Sequence, residues 1–196
     1  MGIMKEKTEE FMQIKVLQKI IDKLRGKPVR FYMLDKKVSV HPTADIDSNT
    51  EIGDYTYINK NVDITKAKIG RYCSIGSHVR IGLGEHDITQ ISTSSLLCKD
   101  GGYKALTKKD CIIKNDVWIG VGAVIRRGVT VGNGAVIGAN SFVNKDVPDF
   151  AVVGGCPAKI IKYRFDKDKI NKILQSEYWN YAPDEAGKII ANLEQT

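Results

Sequence analysis

"IKNDVWIGVGAVIRRGVTVGNGAVIGANSFV", residues 113–143, carries an aliphatic residue at every sixth position: Ile113, Ile119, Ile125, Val131, Ile137 and Val143. An amphipathic helix repeats its apolar residues about every 3.6 positions, and a half-buried strand every second one. Six fits neither. Four residues after each aliphatic comes a small or β-branched residue: Val117, Ala123, Val129, Ala135, Ser141 and Val147. The same columns run through the preceding chain. Val40, Ile46, Ile52, Ile58 and Ile64 are six apart, and after one five-residue step follow Ile69, Ile75 and Ile81. Their small partners are Ala44, Thr50, Thr56, Val62, Cys73 and Val79. A fixed period of this kind marks a solenoid. Each hexad supplies one short strand, three strands close a coil, and coils stack at the ~4.8 Å spacing of paired strands. Glycine follows the aliphatic at Gly53, Gly70, Gly76, Gly82, Gly120, Gly132 and Gly138, where the expectation is a corner turned with positive φ. Each buried aliphatic contributes roughly 1.5–3 kcal/mol, so the columns hold the stack together.

The 196 residues suffice for one domain with a sizeable core. Hydrophobic content of 42% and charged content of 27% are those of a soluble globular chain. No apolar run reaches the ~20 residues of a bilayer span. The first residues, "MGIMKEKTEEFMQIK", lack a signal peptide's apolar stretch. The expectation is a cytoplasmic protein with no stable membrane insertion. Cys73, Cys98, Cys111 and Cys156 form no CxxC pair and read as free thiols. A net charge of +7 favours an anionic partner, but the basic residues are scattered, which argues against nucleic acid.

The pattern divides the chain into a helical extension over 1–37, a coil domain over 38–163 and a helical tail over 164–196. Ile14, Leu17, Ile21 and Leu24 form an apolar stripe in a helix over 4–25, stopped by Gly26-Lys27-Pro28. Residues 166–180 suggest a second helix with Ile170, Ile173 and Leu174 inward, and Pro183 starts a last one ending near Leu193. Trp118, Val124, Val136 and Phe142 follow the small inward positions and so point outward. Such residues need a cover, from the tail on one face and another subunit on the next. A three-sided prism makes a cyclic trimer natural.

The repeat breaks at 83–112, longer than an incidental loop. His86 stands at its root, in an outward position. His41 reads as structural or surface, and His78 as a solvent-facing corner residue.

The six-residue pattern resembles the hexapeptide-repeat proteins, whose fold is a left-handed parallel β-helix and which are generally trimers. Within them, "GLGEHDITQISTSS", "NDVWIGVGAVI", "VVGGCPAKIIKYRF" and "SEYWNY" together resemble the xenobiotic and sugar O-acetyltransferase branch. Asp87 stands where that branch often has proline, and Tyr178 where its tail has the first tryptophan of a pair. The resemblance implies acetyl transfer from acetyl-CoA to a hydroxyl, with His86 as general base. It places the oxyanion donor on the backbone of Gly120 or Val121. Trp118 would line a pantetheine channel between two subunits, running past Gly120 and Ala139 towards Asn144 and Lys145. Lys159 and Lys162 would meet the phosphates. The acceptor would sit at the loop, where Tyr55, Tyr57, Ser92, Thr93, Ser94 and Tyr103 offer hydroxyls.

The implied acceptor is a sugar hydroxyl of a surface polysaccharide or its precursor. A streptogramin or chloramphenicol hydroxyl, or an amino-sugar nitrogen, fits the same segment. A different class is a zinc-dependent hexapeptide carbonic anhydrase using His41, His78 and His86. Against it stand the spacing of the last pair and the glycines before His86, and no metal is expected. A catalytically idle solenoid would bind no acetyl-CoA.

Overall fold

The computed structural model describes residues 37–98 and 108–195. The expected N-terminal helix and the loop tip with Tyr103 lie outside the described residues. From Ser39 the chain winds as a coil of two- and three-residue strands laid in three parallel sheets. On the first face Val40, Ile58, Ile75, Ile119, Ile137 and Val153 stack in register. On the second, Ile46, Ile64, Ile81, Ile125 and Val143 do so. On the third, Ile52, Ile69, Ile113 and Val131 are capped by a bridge to Val147. The period-six aliphatics are thus the inner column of each face, almost all fully buried with the small partners between them. This is the parallel β-helix expected from the hexads, with the left hand that the family resemblance implied. The first face ends in an antiparallel pair, Ala151–Gly154 with Lys159–Tyr163.

The glycines after each aliphatic do a different job from the one expected. Among Gly53, Gly70, Gly76, Gly82, Gly120, Gly132 and Gly138, only Gly82 has positive φ, at 66°. The left-handed turn falls two residues later, on Tyr55, Asn61, Tyr72, His78, Asp116, Gly122, Gly128, Gly134 and Asn140. The position after the aliphatic demands room instead. A Cβ on Gly53 would lie 2.6 Å from the carbonyl carbon of Gly70 in the next coil, and one on Gly120 would lie 2.7 Å from the nitrogen of Ala139.

The break at 83 does not disturb the stack. The strand after it, Cys111–Ile113, pairs directly with Ala67–Ile69, so the loop leaves and re-enters at the corner between the second and third faces. Cys111 and Cys73 fill the core, and burial pushes their thiols up to about 11 and about 12.

The tail starts at helix α1 (Lys167–Ser176), capped by Asp166, whose side chain accepts from the Lys169 N–H. The helix is shorter than expected. Glu177 adopts the left-handed conformation that ends it, and Tyr178–Asn180 form a 3₁₀ turn before α2 (Pro183–Glu194). The tail sits over the corner between the third and first faces rather than over an outward-facing column. Phe150, fully buried, anchors a cluster with Ile173, Tyr178, Trp179 and Ala186. Tyr72 Oη donates to the Tyr181 carbonyl at 2.7 Å, and Arg71 bonds the carbonyls of Asn180 and Tyr181. Trp118 on the first face stays 57% exposed. No helix among the described residues is long and apolar enough to cross a membrane.

Candidate active site

The loop root places three consecutive features. Gly82 ends the last regular hexad with positive φ, and its carbonyl accepts the Thr65 hydroxyl. Glu85 turns back onto the coil after the loop and forms a two-bond ion pair with Arg126. His86 turns to the loop instead. Its Nδ1 lies 2.6 Å from the Thr93 carbonyl oxygen. A carbonyl only accepts, so Nδ1 carries the proton, and in the neutral ring Nε2 carries the lone pair. His41 has the opposite arrangement, because its Nδ1 accepts from the Thr43 N–H.

The "STS" stretch therefore contributes a backbone carbonyl to the histidine. The stretch is tied locally: Ser92 Oγ accepts the Ser94 N–H, while the Ser94 backbone carbonyl accepts from the Leu97 and Cys98 N–H groups. Asp87 bonds Thr89 and Gln90, which draws its carboxyl below the ordinary range and closes a small turn after His86. Ile88, Ile91, Leu96 and Leu97 project from the loop, each more than three-quarters exposed.

The two proposed oxyanion donors differ. The Gly120 N–H donates to the Ile137 carbonyl at 2.8 Å, as part of the coil ladder. The Val121 N–H has no acceptor among the described residues. Val121 and Ala139 share the corner between the first and second faces, where Asn140 N–H bonds the Val121 carbonyl. Trp118 and Lys162 share the outward column of the first face, linked through Val136 and Val152. Lys159 lies on the same exposed end strand. Asn144 and Lys145 follow the last second-face strand, and so stand on the His86 corner.

One chain thus places His86, Ser92, Thr93 and Ser94 at one corner, with Asn144 and Lys145 two coils further along the same corner. Trp118, Gly120, Val121, Ala139, Lys159 and Lys162 lie along the first face and its far edge. Tyr55 belongs to neither: it stacks on Tyr72 at 4.8 Å, at the corner under the tail. The sequence reading missed Arg126, Arg127 and Thr65, which hold the loop root. The available signal was two arginines at the corner step directly after Ile125, opposite the break. Among the described residues no group of three His, Cys, Asp or Glu side chains could hold a metal ion.

The sequence profile described as "Bacterial transferase hexapeptide (six repeats)" matches residues 35–83 and 110–145, so its gap is the loop. A chloramphenicol acetyltransferase of Agrobacterium fabrum is 42% identical over 125 residues, 58% of this chain and 59% of that one. A probable macrolide acetyltransferase of Lysinibacillus sphaericus is 37% identical over 139 residues, 66% of this chain and 76% of that one. Among solved structures, a galactoside acetyltransferase in complex with coenzyme A superposes with a TM-score of 0.55 at 31% identity, covering 67% of this chain and 66% of that one. The chain spans 59–63% of the length of the chloramphenicol acetyltransferases it matches. The hexad columns, the placement of the break and these likenesses agree: the chain belongs to the hexapeptide-repeat acetyltransferases.

Proposed function

We propose that the protein is an acetyl-CoA-dependent O-acetyltransferase acting on a sugar hydroxyl, of a surface polysaccharide or its precursor, from sites shared by three identical chains in the cytoplasm. The observation that carries it is the bond from His86 Nδ1–H to the Thr93 carbonyl. It leaves Nε2 as the base nitrogen of the neutral ring. Nε2 takes the acceptor's hydroxyl proton as the oxygen attacks the thioester carbonyl. The Val121 N–H steadies the oxyanion, the C–S bond breaks, and the proton passes to the departing thiolate. Gly120, committed to its ladder bond, contributes space rather than a donor. Trp118 and Ala139 line the pantetheine, Asn144 and Lys145 flank it, and Lys159 and Lys162 supply point charges for the phosphates. Ser92, Thr93 and Ser94 border the acceptor. His86 and Val121 lie on different corners of the prism, so the site needs a neighbouring chain. The exposed loop aliphatics favour one.

The relatives favour a second reading of the same chemistry. Several are chloramphenicol acetyltransferases, so an antibiotic hydroxyl is the alternative acceptor, with an amino-sugar nitrogen a further variant. One experiment tests the proposal: thiol release from acetyl-CoA across sugars, nucleotide sugars, amino sugars, chloramphenicol and streptogramins, with His86→Ala alongside. The expected loss is about 10²–10⁴-fold in kcat. Undiminished transfer by the variant refutes the base, and a catalytically competent monomer in sedimentation refutes the shared site.

A further inference from the structure

Glu85, the residue before His86, presents both carboxylate oxygens to one guanidinium. Oε1 accepts from Arg126 Nε and Oε2 from Arg126 Nη2, each at 2.7 Å. A two-bond fork aligns the planes of both groups, so it fixes direction as well as distance. The hydrogen bonds from Arg126 hold the Glu85 carboxyl below its ordinary range, against the opposing effect of burial, so the fork stays ionised at neutral pH. A second tie runs beside it. Arg127 Nη2 donates to Thr65 Oγ1 at 2.9 Å, and that hydroxyl donates to the Gly82 carbonyl. Arg127 Nε and Nη1 are buried and have no acceptor among the described residues. Leaving such donors unmet costs free energy, yet the guanidinium remains under the loop root.

Fold stability does not account for the fork. The side chains are 42% and 31% exposed, where an ion pair contributes only about 0–1 kcal/mol. The coils on either side are already joined, since Ile81 and Ile125 stack directly across the break. What the fork does restrain is the backbone from which His86 departs, one residue away.

We propose that Glu85 and Arg126 are positioning residues for the base. Arg126, on the coil after the loop, holds the loop's first turn so that His86 Nδ1 meets the Thr93 carbonyl and Nε2 faces the acceptor. The catalytic meaning rests on the acyl-transfer reading; the geometric claim does not. Glu85→Gln, Arg126→Gln and the double variant are compared with wild type and His86→Ala in the full chain. Two readouts are used: thiol release with the best acceptor of the panel, and ¹⁵N–¹H spectra of the histidine rings. Each single variant should lower kcat roughly tenfold at unchanged KM for acetyl-CoA. The double variant should be no slower than the slower single one, and thermal unfolding midpoints should stay unchanged. The His86 ring, identified by its absence in His86→Ala, should pass from the Nδ1–H tautomer to a mixture. An unchanged tautomer in both single variants overturns the proposal. So do losses that multiply in the double variant, or that track a fall in the unfolding midpoint. If no acceptor is acetylated, or His86→Ala still transfers, the acyl-transfer reading fails, while the spectra still decide the positioning.

Discussion

Replacing Gly53 by alanine separates close approach from backbone freedom. Gly53 is not left-handed, so alanine meets no φ penalty there. Its Cβ, however, would lie 2.6 Å from the Gly70 carbonyl carbon, 2.7 Å from the oxygen and 2.8 Å from the Arg71 nitrogen, where ordinary contact begins at 3.4 Å. All three atoms are backbone, so relief requires moving one coil from the next by several tenths of an ångström. That movement strains the 2.8 Å bond from the Gly53 N–H to the Ile69 carbonyl and its neighbours in the ladder. Overpacking costs about 1–3 kcal/mol and a weakened hydrogen bond about 1 kcal/mol, so the expected loss is roughly 2–4 kcal/mol. Asn59 and Lys114 occupy the same step in other coils, so the corner can shift somewhat, which sets the ceiling. The control is Gly128→Asn. Gly128 is left-handed at 76°, but Asn61 and Asn140 already adopt that conformation at equivalent corners, and the nearest atoms belong to the flexible Lys109 side chain. This change should be neutral within about 0.5 kcal/mol, because asparagine also narrows the unfolded ensemble. Chemical denaturation followed by far-ultraviolet circular dichroism measures both. A Gly53→Ala cost at or below that of Gly128→Asn would refute the close-approach argument.

The cysteines should split by environment. In native protein at pH 8, a thiol reagent should label Cys156 and Cys98 and leave Cys73 and Cys111, whose thiols burial holds at about 12 and about 11, unmodified until denaturant is added. Fast labelling of all four in the native state would contradict the packed core. Phe150→Ala should cost about 3–5 kcal/mol and free the tail. In a Trp118→Phe background, emission from the buried Trp179 should then shift to the red at temperatures where wild type does not, and an unmoved spectrum would mean the tail docks without Phe150.

The inner columns were legible because an inward position in a three-sided coil admits only certain residues, and the repeat samples that position many times. Ile58, Ile75, Ile119 and Ile137 announce one another. The corners were less legible. Gly122 and Asn140 serve one turn while Gly120 and Gly138 serve a close approach two residues earlier, and composition alone does not say which glycine does which. The loop root was hardest. Arg126 and Glu85 are 41 positions apart, and nothing in either local pattern marks an arginine at a corner as paired across a break. His86 stood out because it is the outward residue where the repeat stops. The residue that orients it, Thr93, acts through its carbonyl, which every residue possesses and no motif encodes.

The same prism geometry supports the proposed reading of a site completed by a second chain. Its corners are the places where a loop can be inserted without shifting register, as the direct pairing of Ile69 with Ile113 shows. A corner loop points away from the groove of its own chain. The Val121 N–H and the outward column of Trp118 and Lys162 lie around the adjoining corner, with the whole second face between. In the proposed trimer, three such prisms set side by side about a common axis would present a corner of one to a face edge of the next, and the arrangement would close. On the proposed trimer, a loop carrying Ile88, Ile91, Leu96 and Leu97 outward has an apolar surface to cover, and His86 at its root would face a groove supplied by the neighbour. On this argument the fork at Glu85 and Arg126 aims the base at another chain.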